Sequence, residues 1–511
     1  MAWYSRKKPT QLRTTPAEHS RLIKSVSNND NAWYRVNAKT LNSPNLKLRQ
    51  SIDEVRELSR EVCAKNGYAQ KYIEMLSVYT VGAEGMTLDP RVTFSDGTLD
   101  SETNAKIKAA WDDWSQHHAS YNKRRTFNQM EASAIRSLGR DGEMLFQIVR
   151  GANAGKYGFA LLQTDIACLD TRINARLPKG YVMMGVECSD ENGEIVAYHL
   201  RNPWASSDLA LAAEIGAGNK RVDAKNILHH FDDEYGDGLR GMPWTSSVLL
   251  TIARLAEYTD AHLLACQLAA NVPLVLSNKE GEPLDSTISN VGVNGETSTP
   301  TPQQQPALNL KYQQILETPY NQEIKALDLK YPTAGFAEAL KEYLQQISAG
   351  LFVSYASMTS DSSNEAWSTV RHQSIMERDH WKQIIADFKQ AFHMRVYREW
   401  LECAMLSSAL DLPGKPEDYY NVDFRSRGFA QADPRKEMDA NLKGISEGLF
   451  TRSQLATESG QDWEENILQL QREQDFAKAH GVVLPEAPPS NAAVNVNVNN
   501  AQPVKPNEPT K

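Results

Sequence analysis

Cysteine is scarce in this chain: five in 511 residues, at Cys63, Cys168, Cys188, Cys266 and Cys403, with no CxxC pair. The odd number and wide scatter argue against a disulfide framework or a zinc site, and for reduced thiols in a cytosolic setting. Long apolar runs are also missing. No stretch approaches the roughly 20 residues needed to span a bilayer, so no membrane partner is expected. Met1 to Arg13 is basic but has no apolar h-region, and it does not read as a secretory signal. Excess positive charge is absent too: Lys and Arg number 55 against 64 Asp and Glu, a net charge of −9. A protein that grips DNA presents a basic surface, because affinity comes largely from neutralised phosphates. This chain either has nothing to do with nucleic acid or must not hold it tightly.

Catalytic motifs are missing as well. Gly151-Ala-Asn-Ala-Gly-Lys156 has one residue too few between its glycines for a P-loop and lacks the Ser or Thr after Lys. Asp232-Asp-Glu-Tyr-Gly-Asp237 resembles an acidic metal loop, but its spacing fails for an EF-hand. Counted from Asp233, Tyr235 falls where a ligand is needed and Trp244 where the closing Glu belongs. A solvated turn before a helix is the expectation. The pairs His117-His118 and His229-His230 diverge on a helix or a strand and form no chelate alone. There is no GxSxG elbow and no HExxH. No catalytic residue, metal or cofactor is expected. The competing reading is a metal-dependent nuclease or hydrolase using Asp232, Asp233 and Asp237, since two-metal nucleases do cluster carboxylates.

What is present is a stretch from Pro332 to Leu412 that reads helix, polar loop, very long helix. Phe336, Leu340, Tyr343, Ile347 and Leu351 form an apolar stripe at helical spacing. Ser354 to Ser363 is small and polar. Ser362 and Glu365 have capping-box spacing, so a second helix is expected to start there. No Gly or Pro interrupts Leu351 to Leu412, and Trp381, Ile385, Phe388, Phe392, Val396, Trp400 and Cys403 recur on one face. A helix from Ser363 to Leu410 would run about thirteen turns. Compact domains rarely need such a length; assemblies that pack copies side by side do.

The remainder fits around this stretch. Residues 1–50 read as a terminal arm. Helices are expected over Ser51–Val81, broken at Gly67, and over Asn104–His118 and Thr126–Arg140. Short β-rich runs follow at Glu143–Arg150, Gly158–Gln163, Tyr181–Cys188, Ile195–Leu200 and Asn226–Phe231. Helices followed by meandering strands indicate an α+β fold, not a doubly wound sheet. A helix capped by Thr245 or Ser246 carries Val248, Ile252 and Leu255 on its apolar face. Residues 271–332 form a strand-and-loop insertion around a Pro- and Gln-rich segment. Pro413 to Arg427 reads as irregular, residues 426–484 as helical, and residues 485–511 as an unfolded tail.

Certain segments resemble one family. Ile347-Ser-Ala-Gly-Leu-Phe-Val-Ser-Tyr355, then a short polar loop, then Ser368-Thr-Val-Arg371, is similar to the portal proteins of lambda-type tailed phages. So are Lys65-Asn-Gly-Tyr68 with Val81-Gly82, and Glu447-Gly-Leu-Phe-Thr451 with Glu458-Ser-Gly-Gln-Asp-Trp463, all in order. The resemblance implies a portal fold. Its α/β wing would be 51–243, its first stem helix 244–270, its clip 271–332 and its second stem helix 333–355. A channel loop at 356–365, a long helix returning to the wing over 366–425, and a helical crown-like region would follow. Val248, Ile252, Leu255, Phe336, Leu340, Tyr343 and Ile347 would pack the stem. Ser357, Thr359, Ser360, Asp361, Ser362, Ser363 and Asn364 would face DNA in an axial channel, offering weak hydroxyl contacts with no Lys or Arg between Lys341 and Arg371. The family forms a ring, usually of twelve subunits, at one capsid vertex. DNA is packaged and ejected through it. Implied partners are further copies of the chain, the large terminase, capsid or scaffold protein, a head-completion or adaptor protein, and double-stranded DNA without sequence specificity. The implied locations are the virion and, during assembly, the bacterial cytoplasm. A non-enzymatic role is implied, and a cellular ring scaffold is the other structural alternative.

Overall fold

A computed structural model describes residues 44–94, 96–201, 219–233, 236–270, 274–278, 322–326, 335–361, 363, 366–429 and 434–481. They fall into two compact units, one ending at Ser426 and one beginning at Arg427. Residues 1–43 of the expected 1–50 arm, most of the 271–332 insertion, the tail, Ser362 and Asn364 lie outside the described residues; 44–50 belong not to an arm but to the first helix, where Asn45 and Leu48 are buried.

The first unit opens with α1 (Pro44–Lys65) and α2 (Gly67–Thr80). The break between them is at Asn66, whose side chain caps α2 by accepting from the N–H groups of Tyr68 and Ala69. Strand β1 (Thr87–Pro90) leads to α3 (Ser101–Asp113), which ends in a π-turn over Trp114–His118. Helix α4 (Phe127–Asp141) carries a full capping box between Thr126 and Gln129. Gly142 ends it with φ +82°, and a Cβ there would lie 2.2 Å from the Met242 backbone. That close approach needs glycine.

Strands β2 (Glu143–Arg150), β3 (Phe159–Gln163) and β9 (Ile227–Phe231) form one antiparallel sheet in the order β3-β2-β9. A five-stranded meander joins β4 (Ala175–Leu177), β5 (Gly180–Met183), β6 (Val186–Ser189), β7 (Ile195–Leu200) and β8 (Lys220–Asp223). The architecture is α+β. The single strand expected over Tyr181–Cys188 is two strands. Met184 (φ +51°) and Gly185 (φ +81°) make a two-residue turn between paired Met183 and Val186. Met184 is an unusual turn residue. It is buried, and its carbonyl accepts from Arg240 Nη1 at 2.9 Å.

Arg240 is half of the most buried ion pair described. Its guanidinium donates twice to the Glu143 carboxylate at 2.8 Å, and the Gly241 N–H adds a third donor. Burial would raise the Glu143 pKa, but the facing Arg240 overrides it and holds the carboxyl at about 2. This pair pins the turn after β9 to the start of β2 and so sets where the next helix begins.

That helix is α5 (Leu249–Ala270), entered through a 3₁₀ turn at Trp244–Ser247. Thr245 or Ser246 was expected to cap it; the buried Thr245 hydroxyl instead shares a 2.6 Å hydrogen bond with Ser59. Strands β10 (Leu274–Asn278) and β11 (Gln322–Ala326) pair antiparallel. Then come α6 (Phe336–Gly350), the short α7 (Tyr355–Thr359) and α8 (Trp367–Phe388). A π-turn over Lys389–His393 joins α8 to α9 (Met394–Leu406) without a break. The helical run is therefore about 60 Å long. It begins at Trp367, after an Ala366 N-cap with no side-chain bond, rather than at the expected Ser363. It ends at Leu406 rather than Leu410, because Ser408 turns to φ +57°.

The extra residue of the π-turn rotates His393 inward, where its Nε2 meets Glu131 Oε1 at 2.5 Å. Around it lies an aromatic core. Trp111 meets Trp400 edge-on at 5.1 Å, and Phe127 stacks on Phe392 at 5.6 Å. Of the expected long-helix face, Trp381, Ile385, Phe388, Phe392, Val396 and Trp400 are buried and Cys403 is half-buried. The segment Pro413–Arg427 was expected to be irregular. It contains β12 (Val422–Arg425), which pairs antiparallel with β1.

The second unit holds α10 (Pro434–Ser446), α11 (Arg452–Glu458) and α12 (Trp463–Ala479). Thr451 and Gln454 form a capping box, and Asp462 caps α12. Both signals stand in the sequence.

Candidate channel loop and stem helices

Helices α5 and α6 pack along one another. Val248, Ile252, Leu255 and Ile347 are buried, while Phe336, Leu340 and Tyr343 are half-buried. Leu344, outside the expected stripe, is buried as well. Tyr258 stacks on Phe336 at 5.6 Å and lies 5.9 Å from Tyr343. His262 stacks on Phe336 at 3.7 Å. At the other end Ser247 Oγ donates to the Gly350 carbonyl at 2.9 Å. A Cβ on Gly350 would lie 2.5 Å from Val248 Cγ1, so this glycine admits the close approach of the helices.

Gly350 is not where the chain turns. The Val353 N–H bonds the Ser348 carbonyl at 3.1 Å and the Phe352 N–H bonds Ala349 at 3.2 Å. That is a Schellman ending with Phe352 in the left-handed position, φ +57°, where glycine is favoured. The Phe352 side chain is 70% exposed and stacks on the His380 ring at 5.3 Å. Burial pushes the His380 imidazole pKa down, which favours the neutral ring in that stack.

The polar stretch expected as loop from Ser354 onward is half helix. Ser354 caps α7 by accepting from the Ser357 N–H at 3.1 Å. Met358 anchors the turn from beneath: it is buried, with its sulfur 3.3 Å from the Ser348 hydroxyl. The carboxylate of Glu377, buried on α8, accepts from Ser357 Oγ at 2.8 Å, Ser354 N–H at 3.2 Å and Trp381 Nε1 at 3.3 Å. Thr359 Oγ1 donates back to the Tyr355 carbonyl at 2.8 Å. The hydroxyls of Ser357 and Thr359, expected to face outward, are therefore committed within the chain. A helical turn needs somewhere to place short hydroxyls, and these two find internal acceptors.

Beyond Thr359 the segment opens. Ser360 leaves the turn with φ +60°. Its hydroxyl accepts from Lys71 Nζ at 2.6 Å. Asp361 accepts from the Ser363 hydroxyl at 2.6 Å and the Ser363 N–H at 3.0 Å, which holds its carboxyl below the usual range. Lys341 sits over the Tyr355 ring at 5.5 Å. The loop lacks cations in sequence, yet the fold brings Lys71 and Lys341 to it. The buried Glu377 was also missed. Its signal was position: it lies one turn before Trp381 on the apolar stripe, where a carboxylate must find donors.

The acidic segment does not converge. Asp233 closes a turn, its carboxylate accepting from the N–H groups of Gly236 and Gly238 at 3.0 and 3.1 Å. The Asp237 carbonyl accepts from Asn45 at 2.7 Å. Among the described residues no group of three or more His, Cys, Asp and Glu is arranged to hold a metal ion. His229 is buried with Nε2 3.9 Å from Glu143, and His117 leans on Asp113 of its own helix. Among the described residues no helix is long and apolar enough to cross a membrane.

Comparison with known proteins bears on this arrangement. A family model described as "Phage portal protein, lambda family" matches residues 32–384. A curated "Probable portal protein" of Halomonas phage phiHAP-1 is 27% identical over 463 residues, covering 90% of this chain and 85% of that protein. Among solved structures, a chain from the neck of the native gene transfer agent particle, computed with C12 symmetry, aligns with TM-score 0.39 at 12% identity. It covers 79% of this chain and 92% of that one. A chain from the neck of the empty particle, computed with C6 symmetry, aligns with TM-score 0.36 at 13% identity, covering 79% and 93%.

Proposed function

The chain belongs to the lambda family of phage portal proteins, and from that premise we propose that it forms a ring at one capsid vertex through which DNA is packaged and ejected. The family match over residues 32–384 carries the reading. The helix, turn and long-helix arrangement from Phe336 to Leu406 supports it, since a continuous run of about 60 Å exceeds what one compact core requires. The role is structural. Energy for packaging would come from the large terminase docked on the ring, and head-completion or adaptor proteins would take its place afterwards. Capsid or scaffold protein would surround the outer part, and the assembled protein would reside in the virion.

The DNA-facing part would be the open end of the loop, Ser360, Asp361 and Ser363, with Ser362 and Asn364 in the same segment. Lys71 beside Ser360 would give passing phosphates one cationic contact, and Asp361 would repel them. Charges of opposite sign at adjoining positions of the loop favour touching DNA without holding it. The acidic balance of the whole chain agrees with a conduit of low friction.

Light scattering and negative-stain images of the purified full chain test the ring. The expected result is a closed ring near twelve times the 57.2 kDa chain mass. A chain that stays at monomer mass even with capsid and scaffold proteins added would sink the reading.

A further inference from the structure

Helix α5 packs on α6, and α8 holds the turn that follows α6. Tyr258 and Ser247 join the α5 region to α6. Phe352 and the Ser354–Ser357 cap, just past the end of α6, meet His380 and Glu377 of α8. Helices α5 and α8 each leave apolar side chains in solvent. Leu263 and Leu264 on α5 are each 57% exposed; Ile375 and Met376 on α8 are 43% and 63% exposed.

The charges around these residues have opposite signs. Glu257, Asp260 and Leu264 lie at i, i+3 and i+7, on one stripe of α5. Arg371, Ile375, Arg378 and Lys382 lie at i, i+4, i+7 and i+11, on one stripe of α8. Arg254 and Asp379 stand at the margins of the two stripes. Asp260, Arg371 and Arg378 also interact within their own chain; Glu257 and Lys382 are exposed. An acidic stripe bearing Leu264, with Leu263 beside it, and a basic stripe bearing Ile375, with Met376 beside it, thus lie on two different helices. Their charges are complementary.

We infer that the outward face of α5 in one copy docks on the outward face of α8 in the next, with Leu263 and Leu264 against Ile375 and Met376 and Glu257 toward Lys382. The contact is heterologous: the face of one helix meets that of a different helix, and repetition closes a ring or runs open. The inference rests on the ring reading and names the surfaces that would make it. Opposite charges bordering an apolar centre would set the register of neighbours and disfavour contacts between like faces.

Charge reversal in the full chain tests it. Three variants are made: Glu257→Lys with Asp260→Lys, Arg378→Glu with Lys382→Glu, and all four together. Mass and assembly midpoint are read by light scattering, and folding by circular dichroism. The expected result is rings from the wild type and a shift of at least tenfold to higher midpoint concentration in each two-site variant, with native helix content. The four-site variant should recover rings. Unchanged midpoints in the two-site variants would overturn this interface and leave the ring reading standing. Folded wild-type protein that stays monomeric would overturn both. If the two-site variants fail and the four-site variant does not recover, a Leu264→Cys, Met376→Cys chain is oxidised. A ladder of cross-linked copies absent from the wild type supports the docking, and its absence overturns it.

Discussion

The hydroxyl of Ser357 donates a 2.8 Å hydrogen bond to the buried carboxylate of Glu377. The turn that leads out of α6 is thereby tied to the long helix that follows it. Two further donors, the Ser354 N–H and Trp381 Nε1, complete the carboxylate's shell. Removing Glu377 leaves those donors unsatisfied beside an apolar stripe. Glu377→Ala is expected to lower unfolding stability by about 2–4 kcal/mol, and Glu377→Gln, which keeps one acceptor, by roughly half as much. Urea titration gives the magnitude. Hydrogen exchange should accelerate first in Ser354–Thr359. Unchanged protection there would show that the carboxylate does not hold the turn.

Phe352 occupies the left-handed position of the Schellman ending, with most of its ring in solvent. A non-glycine residue in that conformation costs about 1 kcal/mol. Phe352→Gly relieves the backbone and loses only a partly exposed stack on His380, so the melting temperature is expected to hold or rise by a few degrees. Phe352→Ala keeps the strain and loses the stack, so it should melt lower than both. The order Gly, Phe, Ala in thermal melts is the check; Ala above Gly would remove the strain argument.

Glu143 supplies a pH dependence. Its folded pKa, about 2, lies below the ordinary value of 4.5, so the folded state favours the charged form. The stability this gives is present above the unfolded value and is lost as pH falls from about 5 toward 2. Denaturant midpoints measured across that window should fall for the wild type. Glu143→Gln should be weaker at neutral pH, by about 3–5 kcal/mol for a broken buried pair, and its own acid slope flatter. Parallel slopes in the two proteins would assign the acid loss to other carboxylates.

Charge at the loop tip should tune DNA movement. Asp361→Lys replaces a repelling carboxylate with a phosphate contact in every copy of a ring. Rings should form normally, while filled heads fall by on the order of tenfold and recover at higher salt, as phosphate contacts weaken. Packaging assays across a salt series read this directly. Wild-type packaging by the variant at low salt would remove the loop from the DNA path.

Much of the local structure was legible in residue order because its causes are local. The helix starting at Thr126, the break at Gly67 and the recurrence of Trp381, Ile385 and Phe388 on one face each arise within a turn or two of helix. The family resemblance likewise rested on short ordered segments. Other features depend on partners far along the chain. Strand β12 exists because β1 pairs with it, and four residues alone carry too little pattern to show it. Met184 sits in a turn because its side chain fills the core and its carbonyl meets Arg240. The long helix starts later than its capping signal suggested, because Ser354 and Ser357 are held by Glu377 and the chain takes an extra turn first. The loop's charge shows the division most clearly. In sequence it has no cation between Lys341 and Arg371, but packing of α2 beside the turn sets the Lys71 ammonium on Ser360. Residue order alone determined where most of the helices run, which segments are polar and that the chain is acidic. Only the tertiary structure decided which hydroxyls are spent internally and which charges meet at the loop, because both depend on contacts between residues distant in the chain.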